Sequence, residues 1–232
     1  MIKTTVISSI LLGGLLCSDL CAAVLPCLGS QPLSGLVSLG STGCTIGDKL
    51  FTGFTLATTG TLAALDATAI NVLTSTTPEG NEVLTFTGGL TAVGGANGGT
   101  LTGIIDYTVS TLSGAALIED LTLSMGPLSS LGNGPNSATA TEYACLAVNV
   151  TCDKNNADFT LSTVPDGTSH LVFPPVSSLS VAKQITINAT ALNLVTVGSL
   201  TNQVSQIPEP GTWLTLVSGL ALAAARRVRR SR

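Results

Sequence analysis

The chain has 232 residues, of which 44% are hydrophobic, 9% charged and 3% aromatic. Its formal net charge of −4 hides an uneven split: Val24 to Ile207 carries eleven acids against three bases (Lys49, Lys154, Lys183), a balance of −8, while five of the nine bases are arginines after Ala225. Such a middle repels nucleic acid and other polyanions, its abundant apolar residues exclude a disordered chain, and its length suits one domain with its own core.

Met1-Ile2-Lys3 forms a small positive n-region, and Val6 to Leu16 an apolar h-region. Cys21-Ala22-Ala23 places small residues at −3 and −1, so residues 1–23 read as a signal peptide cut by signal peptidase after Ala23. Leu16 and Leu20 precede Cys17 and Cys21 where a lipidated cysteine needs a small residue, which argues against lipidation.

Removal of the signal peptide leaves Cys27, Cys44, Cys145 and Cys152. Four cysteines allow three connectivities. The sequence-local one, Cys27–Cys44 with Cys145–Cys152, is expected, and on chain-entropy grounds its loops contribute about 3 and about 2.5 kcal/mol. The spacings lack the tight C-x₂₋₄-C pairs of a zinc site, so no metal is expected there.

The segment from Cys44 to Phe54 reads as a first core strand with Asp48-Lys49 at a turn. Leu50, Phe54 and Leu56 share one strand parity, and Phe51 breaks the period of two. Downstream, Val83–Thr87, Leu101–Ser110, Leu117–Ser124, Ala144–Thr151, Phe159–Val164 and Val181–Val197 alternate apolar with hydroxyl or β-branched residues and are predicted strands. Turn clusters such as Pro78-Glu79-Gly80-Asn81, Gly132-Asn133-Gly134-Pro135 and Pro165-Asp166-Gly167 separate them. Leu112–Leu123 also has helix-compatible composition. The expected fold of residues 24–206 is all-β, a β-sandwich or jelly roll.

Signals for chemistry are sparse. The single histidine, His170, reads as a surface loop residue. Glu119 and Asp120 are adjacent, so on a strand they face opposite ways and form no carboxylate pair. Asp153-Lys154-Asn155-Asn156-Ala157-Asp158 is rich in oxygen ligands but lacks the glycine and closing glutamate of a calcium loop, and reads as a solvated hairpin tip. Glycines 88–99 lack the Lys-Ser/Thr of a phosphate loop and read as a flexible connection. Asn149-Val150-Thr151 and Asn188-Ala189-Thr190 match the glycosylation sequon. No catalytic residue, cofactor or metal is expected.

The last 26 residues, 207–232, combine three features. Pro208-Glu209-Pro210 is an extended hinge. The uncharged run from Gly211 to Ala225 spans about 22 Å as a helix against ~30 Å of hydrocarbon. Arg226, Arg227, Arg229 and Arg230 form a cytoplasmic stop. In this order the tail resembles a PEP-CTERM sorting signal. The resemblance implies processing near Pro208, Glu209 and Pro210 by the membrane protease-transpeptidase exosortase, a Gram-negative producer of exopolysaccharide, a transient inner-membrane intermediate held by a short transmembrane helix, and delivery to the cell surface or extracellular matrix. The Cys-x-Ile-Gly-Asp-Lys-x-Phe-x-x-Phe run at Cys44–Phe54 is similar to the opening of an ectodomain type found ahead of such tails. The leading expectation is therefore a non-enzymatic structural or adhesive protein linked to exopolysaccharide or biofilm, with no nucleic-acid partner. The rival is a secreted hydrolase, acting on polysaccharide or esters through a dispersed site.

Overall fold

Alternating apolar and hydroxyl residues fold into strands almost throughout the domain. The computed structural model describes residues 24–146 and 151–206, so the signal peptide, Asn149 and the tail lie outside the described residues. In chain order come β1 (Ser30–Pro32), α1 (Leu33–Leu39), β2 (Cys44–Ile46), β3 (Lys49–Gly60), β4 (Asn71–Thr76), β5 (Glu82–Thr87), β6 (Thr91–Val93) and β7 (Gly99–Thr111). There follow β8 (Ile118–Met125), β9 (Leu128–Leu131), β10 (Ser137–Cys145), β11 (Phe159–Thr163), β12 (Thr168–Val176), β13 (Ser178–Ala189), β14 (Leu194–Val197) and β15 (Ser199–Gln206).

Two six-stranded sheets, ordered β1-β4-β5-β15-β8-β12 and β11-β10-β13-β7-β3-β2, make a sandwich, and a small third sheet, β6-β14-β9, joins the same core. Every strand pairing within the three sheets is antiparallel. The chain crosses repeatedly between the two large sheets, so each layer mixes early and late strands. Leu101, Ile105, Tyr107 and Val109 of β7 and Leu179, Val181, Ile185 and Ile187 of β13 face Leu84, Phe86, Leu121, Leu123, Leu200 and Val204 of the opposite sheet. Burying side chains of this size contributes about 1.5–3 kcal/mol each before the entropy of ordering is counted.

Both local disulfides are formed, Cys27–Cys44 and Cys145–Cys152. The first ties the N-terminal segment to β2, where Cys27 N–H donates to Thr45 O (2.8 Å) and Thr45 N–H to Leu25 O (3.0 Å).

Several sequence expectations are corrected. Leu33–Leu39 is a helix, absent from the predicted elements; Leu33 and Leu36 are fully buried, and the first amides donate to Ile70 O (2.8 Å) and Ala67 O (3.0 Å) rather than to a capping side chain. Those two carbonyls replace the missing cap. The helix-compatible Leu112–Leu123 contains no helix; its second half enters β8, where Ile118, Leu121 and Leu123 are buried. The span Val181–Val197 is two strands from different sheets, broken by a turn through Leu192 at φ 58°. Of the strand expected at Ala144–Thr151, Ala144 and Cys145 close β10 (Ser137–Cys145), and residues 147–150 lie outside the described residues. The glycine-rich 88–99 connection holds β6 and buries Leu90 and Ala92, so it is not simply a flexible loop.

Phe51 and Phe54 are both buried because β3 carries a bulge between Thr52 and Thr55. Gly53 sits in that bulge at φ 66° with open space around its Cβ position, so backbone conformation rather than crowding calls for glycine. The extra residue returns Phe54 to the core, where its ring stacks on Tyr107 at 5.2 Å. Lys49, expected at a turn, instead opens β3 with its side chain fully buried. Among the described residues no helix is long and apolar enough to cross a membrane.

Candidate functional site

The outward positions of the second sheet are set by the same alternation that builds the core. From β7 they are Thr100, Thr102, Ile104, Asp106, Thr108 and Ser110. Register aligns them into rows across the strands: Thr139, Thr186, Thr102 and Thr59; Thr141, Gln184, Ile104 and Ala57; Tyr143, Ala182, Asp106 and Thr55; Cys145, Ser180, Thr108 and Thr52. Many of these side chains bond laterally. Thr102 and Thr186 share a hydrogen bond of 3.4 Å, Thr108 and Ser180 one of 3.5 Å, and Thr100 Oγ1 donates to Asn188 Oδ1 at 2.7 Å. The result is a hydroxyl-bearing surface whose side chains are held by their neighbours.

Within this surface lies an open groove of about 290 Å³, lined by Thr55, Asp106, Thr108, Ser180, Thr151 and Cys152, with Gly53 of the bulge at its edge. The Cys145–Cys152 disulfide packs with Ala182 and carries half-buried Ile104, Tyr143 and Ala157 against it. An apolar strip bearing one aromatic ring therefore runs beside the hydroxyl-lined groove. Tyr143 and Asp106 occupy one row two strands apart, about 10 Å at ~4.8 Å per strand.

Among the described residues, Asp106 is the only carboxylate lining the groove. Thr55 Oγ1 donates to its Oδ2 at 3.1 Å, while Oδ1 is buried with no partner. Burial pushes this carboxyl above the usual aspartate range, and the Thr55 bond offsets part of the rise.

The residues singled out by sequence fall elsewhere. His170 is on β12 rather than in a loop; it is half exposed, 3.6 Å from Asp120 Oδ1 on the facing β8. Glu119 and Asp120 are neighbours on β8 and do not converge on the groove. In the Asp153–Asp158 loop the oxygens turn to the local backbone: Asp153 Oδ1 accepts Asn155 N–H (2.7 Å), Asn156 Oδ1 accepts Asp153 N–H (2.7 Å), and Asp158 Oδ2 accepts Leu146 N–H (2.8 Å). Among the described residues no three His, Cys, Asp or Glu side chains converge on one point.

In the sequence Lys183, Glu82 and Glu142 enter only the charge balance and Lys49 is also expected at a turn, yet all four are buried. Lys183 pairs with Glu142, both oxygens of which accept Asn202 Nδ2 at 2.9 Å, and Tyr107 OH donates to Asn202 Oδ1 at 2.5 Å. This network bridges the two sheets through their core. Burial pulls the Lys183 ammonium below the usual lysine range against the attraction of Glu142, and burial and then the Glu142 charge push the Tyr107 phenol well up. A second cluster joins Lys49 to Asp48 and to Gln206 Oε1 (2.5 Å), with Glu82 against Gly47. Burial raises the Glu82 carboxyl to about 7 in spite of Lys49, and Asp48 adds to the rise. Of the two networks only Tyr107 is among the residues that line the groove.

No protein-family model and no curated protein matches the chain. Among solved structures it is similar to TmCBM61 in complex with β-1,4-galactotriose, at 7% identity over 65% of this chain and 88% of that one, with a TM-score of 0.28. It is also similar to the xylan-binding module CBM15, at 15% identity over 67% of this chain and 100% of the module, TM-score 0.24. A third similarity is to the enzymatically active domain of bacteriophage CBA120 tailspike protein 4, at 12% identity and a TM-score of 0.28; this chain covers 19% of that one. Similarity at this level carries no argument about fold or ligand; the sandwich stands on its own strand pairing, and the groove on its own side chains.

Proposed function

We propose that the chain is an exported, non-enzymatic surface or matrix protein that binds polysaccharide on the outer face of its second sheet. The observation that carries this reading is the groove itself: hydroxyls of Thr55, Thr108 and Ser180 and one carboxylate, beside an apolar strip that includes Tyr143. Sugar rings have the same two-sided character, a rim of hydroxyl groups around apolar C–H faces. A glycosidase flanks its scissile bond with two carboxyl groups, and this groove has one, so binding is favoured over the hydrolase alternative. The pair of disulfides fits an oxidising, extracytoplasmic destination.

The test is co-sedimentation of the full chain, in neutral detergent, with insoluble neutral, cationic and acidic polysaccharides. Retention by at least one is expected, with Tyr143→Ala and the pair Thr108→Val, Ser180→Ala each losing it tenfold or more at unchanged circular dichroism. Failure of the parent chain to bind any of them, or variants that bind equally well, contradicts the reading.

The same proposal assigns the tail to sorting. Its short apolar run makes a weak anchor, its hinge leaves an extended backbone for a protease, and its arginines oppose passage through the bilayer. The chain would then pass through the inner membrane of a Gram-negative host, be cut by exosortase and join an exopolysaccharide matrix or biofilm. Replacing Pro208, Glu209 and Pro210 with alanine is expected to leave uncut precursor in the inner membrane of an exosortase-bearing host. Mass spectrometry of the C-terminus decides: identical intact tails with and without exosortase would reduce the tail to a plain anchor.

A further inference from the structure

We propose that the polysaccharide taken by this groove is cationic, a polymer of amino sugars whose amines are free rather than acetylated. The inference deepens the binding reading above and rests on it. It starts from which charges the solvent meets. Of the three bases in the domain, Lys49 and Lys183 are fully buried, and so are Glu82 and Glu142, which leaves nine carboxylates and one lysine, Lys154, outside the core. Folding has thus taken two charges of each sign into the core and left the whole imbalance of −8 outside it.

The groove repeats this asymmetry at close range. Among the described residues its lining has no cation, and its single charged group is Asp106, with Oδ1 unpartnered and buried. An acidic polysaccharide would meet repulsion from the domain and no pairing group in the groove. A neutral one could satisfy the hydroxyls but would leave the carboxylate without an opposite charge, and burying an unpaired charge is costly. An ammonium group in the groove pairs with the Asp106 carboxylate with charge assistance, while the apolar ring faces still rest on the Tyr143 strip. The net negative field also raises the local concentration of a polycation and speeds its association. Lys154 follows Cys152 by two residues, and Asp153 and Asp158 of its own loop outweigh it.

Calorimetry on the full chain in neutral detergent would compare glucosamine oligomers, their N-acetylated counterparts and galacturonate oligomers, at about 20 mM and about 200 mM salt. The glucosamine oligomers are expected to bind tenfold to a hundredfold more tightly than the acetylated ones, to weaken at higher salt, and to lose about tenfold with Asp106→Asn, in keeping with one charge-assisted bond. Galacturonate oligomers are expected not to bind. Thr55→Val serves as a second variant, and thermal melts confirm that both variants fold. Equal binding of acetylated and free oligomers would overturn the charge class and leave polysaccharide binding standing. Binding of no oligomer would overturn both. Cationic binding indifferent to Asp106→Asn and Thr55→Val would overturn the groove as its location.

Discussion

Replacing Lys183 with methionine is expected to destabilise the domain by about 3–5 kcal/mol, the cost of leaving a buried charge without its partner. Methionine keeps most of the side-chain volume, so the loss reports charge and not a cavity. Glu142 would then hold a negative charge in the core with only Asn202 donating to it. The double variant Lys183→Met, Glu142→Gln should recover most of the loss, because a neutral amide can still accept from Asn202 Nδ2. Denaturant midpoints at unchanged slope measure both effects. A single variant within about 1 kcal/mol of the parent would show that water reaches the pair and that the network is not a core feature. The network bears on function through placement, since Glu142, Lys183 and Tyr107 are on β10, β13 and β7, whose opposite faces carry the rows containing Thr141, Gln184 and Asp106.

Stability is also expected to fall as pH rises from about 5 to about 8, through Glu82. Its carboxyl titrates near 7 in the folded protein against 4.5 as its ordinary value. Between those values the folded chain binds the extra proton, so this contribution is fully present below about pH 4.5 and is lost as pH climbs through 7. Some water reaches the cluster through Asp48, whose side chain is 34% exposed, and the discounted effect is about 2 kcal/mol. Glu82→Gln keeps the shape and removes the titration. Melting temperatures across that range should slope downward for the parent and flatten for the variant; parallel curves would mean that Glu82 ionises freely. The cluster holds Gln206, the last residue of β15, through Lys49, and Gln206 Nε2 also reaches Gly80 O at 3.1 Å. These bonds fix β15 at its last residue.

Much of the fold was readable from alternation and turn residues, because a half-buried antiparallel strand imposes a period of two. The disulfide pairing was readable too, since cysteines 17 and 7 residues apart have only short loops to close. The misses have specific causes. Leu33–Leu39 is too short for a clear helical period and is held by tertiary bonds to Ala67 and Ile70. Val181–Val197 looks continuous because the apolar pattern hardly lapses at its turn. The buried charges had a signal that went unused. Glu142 shares parity with Ala138, Ala140 and Ala144, Lys183 with Val181 and Ile185, Glu82 with Leu84 and Phe86, and Lys49 with Phe51. A charged residue at a core parity, matched by an opposite charge at another, marks a buried pair. Asp106 carried no such mark: it sits at an outward position, and its isolation depends on strands and a disulfide loop brought together from distant parts of the chain.

The central claim is that the groove around Asp106 binds polysaccharide without cleaving it. One sample can test this: the full chain incubated with a soluble polysaccharide, with retardation in affinity electrophoresis and polymer length by size exclusion read side by side. The account predicts retardation that disappears in the Tyr143→Ala, Asp106→Asn variant, with polymer length unchanged throughout. Shortened polymer that depends on the same two residues would make the groove an active site and contradict the account.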